Sequence, residues 1–283
     1  MRGKAPPERH LNGFSRCNGF LKHESGASLM KTIILAGGFG TRLSEETQVL
    51  PKPMIEIGGR PLLWHLMKLF SAQGFSRFAV ALGYKGEVIK RYFLQYPQLA
   101  ADLTVDLKAG LCTASGQTPE DWTIELCETG PDTMTGGRLK RLRGKVDSTF
   151  FFTYGDGLSN VDLNKLLAFH KSHGKLATVT AVSPPQRFGV LKLDGGRVEN
   201  FSEKPEGNEQ VINGGFFVLE PGIFDYIDGD DTSWEREPCE RLAAAGELFA
   251  YRHNGFWQCV DTLHELRLLR NLYDANKAPW KVW

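Results

Sequence analysis

A short β-branched run, Lys31-Thr32-Ile33-Ile34-Leu35-Ala36, leads straight into Gly37-Gly38-Phe39-Gly40, and Thr41-Arg42-Leu43 follow. The apolar run reads as a buried strand. A loop this rich in glycine brings backbone N–H groups close to an anion, because no Cβ stands in the way. Arg42 adds a planar fork of donors suited to phosphate oxygens, and Lys52, set between Pro51 and Pro53, adds a second cation. The arrangement points to a phosphate-handling loop at the end of a first strand. A βα turn that binds nothing is the plain alternative, and it needs neither cation.

Several function classes fall away at once. The dinucleotide fingerprint G-x-G-x-x-G fails because Leu43 holds the third glycine position, and no Gly-Lys-Ser or Gly-Lys-Thr completes a Walker loop. A hydride-transferring dehydrogenase is therefore a poor fit. No G-x-S-x-G supports a serine nucleophile, and the histidines form no metal-spaced cluster. Lys plus Arg at 34 against Asp plus Glu at 33 leaves a formal charge of +1. No global field recruits nucleic acid or an acidic membrane, so cationic function has to be local. Five cysteines form no C-x-x-C pair and read as thiols of a reducing cytoplasm. No apolar run approaches a membrane span. Residues 1–29, with their charges and Pro6-Pro7, read as a disordered extension or tail rather than a secretory signal.

Strand and helix alternate after Met30, as in a parallel sheet with helices on its faces. A helix is expected over residues 61–70, a strand over Arg77–Leu82 and a helix over 86–96, stopped by Pro97. Phe150–Tyr154 is the strongest central strand, leaving through Gly155-Asp156-Gly157. Ligands of open α/β sheets collect at the carboxyl ends of strands, so Asp156 and the glycine loop should face one crevice. Thr135-Gly136-Gly137-Arg138 should open a helix running to about Lys145, whose first N–H groups and Arg138 can hold base or phosphate. From Lys175 onward the strands shorten: 176–182, 190–193 and 198–203, with a tight turn at Asp194-Gly195-Gly196, then 211–219 and 249–252. Two helices are expected between the last two strands, and a helix over 262–276 closes the chain.

The glycine loop with Pro51-Lys52-Pro53-Met54, together with Ser44-Glu45-Glu46-Thr47, Met134-Thr135-Gly136-Gly137-Arg138, Tyr154-Gly155-Asp156-Gly157 and Ile212-Asn213-Gly214-Gly215, resembles the sugar-phosphate nucleotidyltransferases. Within that family it is similar to the branch that transfers a cytidylyl group to glucose 1-phosphate, and the likeness runs from Met30 to Lys281. The resemblance implies an α/β fold: a Rossmann-like, mixed but mainly parallel sheet flanked by helices, with a small β-rich sugar-binding part. It divides residues 30–283 into a nucleotide-binding half (about 30–160), a sugar-binding half (about 161–262) and a C-terminal helix. It implies CTP and glucose 1-phosphate as substrates, Mg²⁺ as cofactor, a homo-oligomer, and a place in bacterial surface-polysaccharide (O-antigen dideoxysugar) synthesis.

Such a transfer needs no protein nucleophile, so catalysis rests on positioning and charge neutralisation. By resemblance, Arg42, Lys52 and Asp156 are catalytic. Leu35, Ala36, Gly37, Gly38, Gly40, Thr41, Arg42, Lys52, Thr135, Arg138 and Gly155 bind the nucleotide. Glu203, Lys204, Asn213 and Gly214 hold the sugar phosphate. Asp156 and Asp261 are the metal carboxylates; the alternative for Asp261 is an N-cap of the following helix. Transfer of a uridylyl or thymidylyl group on the same fold, and a catalytically silent nucleotide-sugar-binding homologue, both stay open at this point.

Overall fold

The computed structural model describes residues 29–40, 50–116, 120–184, 190–194, 197–202 and 211–283. Thr41, Arg42, Glu203, Lys204, the turn glycines 195–196 and residues 1–28 lie outside the described set. Four parallel strands form one side of the main sheet: β1 (Lys31–Leu35), β2 (Arg77–Leu82), β3 (Thr123–Glu128) and β4 (Phe150–Tyr154). The other side holds β5 (Ala177–Val182), β6 (Ile212–Asn213), β7 (Phe217–Leu219) and β8 (Leu248–His253). Across the sheet the order is β8-β5-β7-β4-β1-β2-β3, with β6 sharing the edge of β5 that β7 uses. β7 runs antiparallel to both β4 and β5, whereas β8 is parallel to β5, so the sheet is mixed.

Both faces of this sheet are covered, which is why its central strands are apolar at most positions rather than alternating. Ile33, Ala79, Ala81, Phe150 and Phe152 point to one face, where they meet Leu139, Phe224, Trp234 and Leu242. Ile34, Val80 and Phe151 point to the other. There, helix α1 (Leu62–Ser71) lays down Leu63, Leu66, Met67 and Phe70 at helical spacing. The ring of Phe151 lies 4.7 Å from that of Phe75 and 5.5 Å from that of Phe70, with edges meeting faces.

Three boundaries differ from the sequence reading. Helix α2 (Gly86–Leu99) carries Pro97 inside its last turn instead of stopping before it. The hydrogen bond that proline forfeits is the one to the Phe93 carbonyl, and Gln95, Pro97, Gln98 and Leu99 are exposed, so water can replace it. The strand expected over 211–219 is two strands, β6 and β7, separated by Gly214-Gly215-Phe216. Gly215 (φ 71°) and Phe216 (φ 49°) are left-handed there and cannot continue a pleat. Helix α3 (Thr135–Arg141) ends slightly early and a 3₁₀ turn, Arg143–Lys145, completes its expected length. Helices α4 (Leu163–His173), α5 (Glu237–Ala244) and α6 (Leu263–Asp274) complete the flanking layers. No helix among the described residues is long and apolar enough to cross a membrane.

His65 sits fully buried in α1 with both ring nitrogens assigned by their partners. Nε2–H donates to the Ile57 carbonyl (2.8 Å), and the Trp280 indole N–H donates to Nδ1 (3.4 Å), so the ring is neutral. Burial lowers its pKa below the ordinary imidazole value, against the Ile57 hydrogen bond and with help from Lys281 and Arg60. Burial lowers His170, His173 and His253 in the same direction. The unfolded chain therefore takes these protons first. The stability they contribute is complete above an unfolded pKa of about 6.5 and declines as pH falls below it. Thermal melts are expected to show a lower Tm at about pH 5.5 than at about pH 7.5. A midpoint unchanged between these values would contradict the assignment of His65 as a neutral core residue.

Candidate functional site

The exits of β1 and β4 are stitched together by backbone bonds. Gly155 N–H donates to the Leu35 carbonyl (2.9 Å), and Ala36 N–H donates to Ala81 O of β2 (2.9 Å). Beyond Asp156, a short strand Gly157–Ser159 pairs antiparallel with Trp257–Cys259. Val260 N–H then donates to the Asp156 carbonyl (2.9 Å). Two segments about a hundred residues apart in sequence thus deliver Asp156 and Asp261 side by side. Pro51, extended at φ −66°, turns the chain into the 3₁₀ turn Lys52–Met54 and presents Lys52 to both carboxylates.

The Lys52 ammonium donates to Asp156 Oδ2 at 2.6 Å and to Asp261 Oδ1 at 2.7 Å. Its side chain is only 12% exposed. Burial alone would lower the lysine's pKa, but the charges and hydrogen bonds of Asp156 and Asp261 outweigh burial and hold it above the ordinary value. The ammonium stays charged, and the three groups form one ionic cluster. Asp261 is not the cap of α6: Thr262 takes that place, accepting from Glu265 N–H while the Glu265 carboxylate accepts from Thr262 N–H in a capping box.

A cleft opens over this cluster. Leu35, Ala36, Gly38 and Gly40 line one side. Lys52, Pro53, Gly155, Asp156 and Asp261 line another, and Thr135 with Tyr154 closes a third. Most residues expected from the sequence as site residues therefore converge, while Thr41, Arg42, Glu203 and Lys204 lie outside the described set. Tyr154 and Pro53 were not expected as site residues, although each flanks a residue that was. Burial and the Glu235 carboxylate push the Tyr154 phenol well above its ordinary pKa, so it remains protonated.

The α3 segment departs from its expected role. Gly136 and Gly137 N–H, the second and third of the helix, donate to the Thr232 carbonyl (2.9 and 3.2 Å). Arg138 is buried, at 4% exposure, behind the glycine loop rather than facing the cleft. Its guanidinium donates to Leu82 O, Thr129 Oγ1, Gly130 O and Pro131 O at 2.6–3.1 Å. A Cβ on Gly37 would come within 2.4 Å of that guanidinium, and one on Gly83 within 2.3 Å. These glycines admit an arginine slab between two turns, and the guanidinium packs against the loop at Gly37. Asn213 ends β6 and Gly214 follows it: the Asn213 side-chain carbonyl accepts from Gly215 N–H (2.8 Å), and Gly214 O accepts from the Trp257 indole (2.7 Å).

Among the described residues no three His, Cys, Asp or Glu side chains gather as a closed metal centre. Two carboxylate oxygens that bracket one ammonium nitrogen suit a different arrangement. A hard divalent cation could take the seat of that nitrogen and draw its other ligands from substrate phosphates and water.

The model of the nucleotidyl transferase family matches residues 31–267. The chain is 51% identical over 256 residues to the glucose-1-phosphate cytidylyltransferases of Salmonella typhi and Salmonella typhimurium, covering 90% of this chain and 100% of each relative. In three dimensions it is similar to HddC from Yersinia pseudotuberculosis, with a TM-score of 0.65 at 22% identity over 87% of this chain and 100% of that one. That last likeness concerns the fold.

Proposed function

The chain belongs to the nucleotidyl transferase family, and on that premise we propose that it joins CTP and α-D-glucose 1-phosphate into CDP-glucose and pyrophosphate. The observation that carries the reading is the Lys52–Asp156–Asp261 cluster at the exits of β1 and β4, beside the glycine loop. Identity of 51% over the whole length of the cytidylyltransferase relatives supports the choice of base and sugar. A phosphate oxygen of the sugar 1-phosphate attacks the α-phosphorus of CTP in line, a P–O bond forms, the bond to the β-phosphate breaks and pyrophosphate leaves. Asp156 and Asp261 would hold Mg²⁺, which supplies Lewis-acid neutralisation of the phosphates. The glycine loop brings its N–H groups to the triphosphate. Lys52 and Arg42 offset the charge that grows on the leaving pyrophosphate, where fixed cations matter most. Glu203, Lys204, Asn213 and Gly214 take the sugar phosphate. A cytoplasmic homo-oligomer serving surface-polysaccharide synthesis is the setting this reaction suits.

Pyrophosphate release measured with glucose 1-phosphate and each of the four nucleoside triphosphates tests the reading. CTP is expected to dominate; preference for UTP or TTP, or no release with any, would overturn it. Within the same assay, Lys204→Ala separates acceptor binding from leaving-group chemistry. A charge-assisted phosphate contact contributes roughly 1.5–3 kcal/mol, so KM for glucose 1-phosphate should rise about ten- to a hundredfold with little change for CTP. Arg42→Ala should lower kcat instead. A Lys204→Ala enzyme weakened only toward CTP would move the sugar phosphate elsewhere.

A further inference from the structure

Glu235 is exposed and lies 81 and 100 residues from the two side chains it holds, yet it reaches both residues of one wall of the cleft. One carboxylate oxygen accepts from the Tyr154 hydroxyl at 2.7 Å, and the other accepts from Thr135 Oγ1 at 2.7 Å. The segment that carries it is docked on α3 over several bonds. Met134 N–H donates to Asp230 O (2.8 Å), the Gly136 and Gly137 N–H groups to Thr232 O, and Trp234 N–H to Thr135 Oγ1 (2.9 Å). Cβ atoms on Gly136 and Gly137 would come within 2.7 Å of Thr232 O and 2.5 Å of Asp230 Cα, so the glycine pair permits this docking.

A carboxylate only accepts, so the hydrogens of both hydroxyls are committed to Glu235. What Tyr154 and Thr135 can still offer is lone-pair density. Trp234 N–H uses part of that of Thr135, and any remainder can only accept. We propose that Glu235 is a positioning residue that makes the Thr135–Tyr154 wall an acceptor surface, selecting ligands that present N–H or O–H groups there. The selected chemistry is a hydrogen-bond donor. In the reaction proposed above, whose substrates this inference borrows, the donor comes from either the exocyclic amine of the pyrimidine or a hexose hydroxyl. Uracil and thymine place an acceptor oxygen where cytosine carries its amine.

Glu235→Gln reverses part of this pattern: the amide keeps one acceptor oxygen and points a donor at the other hydroxyl, which must then turn its hydrogen away. Isothermal titration of wild type and variant with CTP against UTP, and with glucose 1-phosphate against its deoxy analogues, reads the consequence without turnover. One of the two affinity ratios is expected to fall by about tenfold or more, as for a site that loses its match to a donor group. Movement of the nucleotide ratio identifies the amine; movement of the sugar ratio identifies the hydroxyl. Tyr154→Phe and Thr135→Val, each checked by circular dichroism, remove the two acceptors singly and keep the test valid should Glu235→Gln fail to fold. Both ratios within about twofold of wild type in folded variants would reduce Glu235 to a structural cross-link and overturn the proposal. A wild type that prefers another nucleotide and sugar phosphate would overturn the reaction instead, and the same comparison is then made on that pair.

Discussion

Asp156→Asn is expected to cost about a thousandfold in kcat, because a lost metal carboxylate removes several kcal/mol of transition-state charge stabilisation. The fold should survive. Asparagine matches the carboxylate in shape, Lys52 retains Asp261 at 2.7 Å, and the backbone bond from Val260 N–H to the Asp156 carbonyl does not involve the side chain. Steady-state kinetics at saturating Mg²⁺ beside a thermal melt decide the matter. A near-normal rate would remove Asp156 from the metal; a collapsed Tm would make it a structural residue.

Arg138→Met should act in the opposite sense, on stability before chemistry. Methionine fills much of the volume but leaves the carbonyls of Gly130 and Pro131 without the guanidinium, while Leu82 O keeps both donors of Thr129, its N–H and its hydroxyl. Each unsatisfied buried acceptor costs about 1–3 kcal/mol, so two of them bring the expected loss to about 2–4 kcal/mol. A Tm lower by roughly 4–12 °C follows for a chain of this size. Lysine should rescue little, since one ammonium cannot reach acceptors on β2 and on the 129–131 turn together. An Arg138→Met protein that melts with the wild type and binds nucleotide tenfold more weakly would restore the arginine to the ligand side.

The contrast between these residues marks what the chain discloses on reading. Asp156 is legible because it stands at the carboxyl edge of an apolar five-residue strand between two glycines, a position with few structural uses. β1, β2 and β4 are legible for the related reason that burial on both faces leaves little room for polar residues. Arg138 misleads because an arginine after two glycines looks like an anion contact. Nothing local reveals that carbonyls from residues 82, 130 and 131 converge on it. Pro97 misleads by the same logic, since the cost of its missing bond depends on solvent at the Phe93 carbonyl. Glu235 carries no local sign at all. Its meaning comes from the sheet order, which sets β4 and α3 under the segment that holds it.

The Lys52 cluster has a consequence for the order of events in time. Two carboxylates and an ammonium are stripped of most of their water once, when the chain folds, and the ions hold one another in the resting protein. On the proposed reading, an arriving triphosphate with its cation meets charges that change partners rather than charges that must first shed solvent. Lysine trades carboxylate oxygens for phosphate oxygens, and the carboxylates trade one cation for another. Turnover then proceeds by exchange within a set of ions that are already paired and partly desolvated, and much of the reorganisation of water around bare ions belongs to folding.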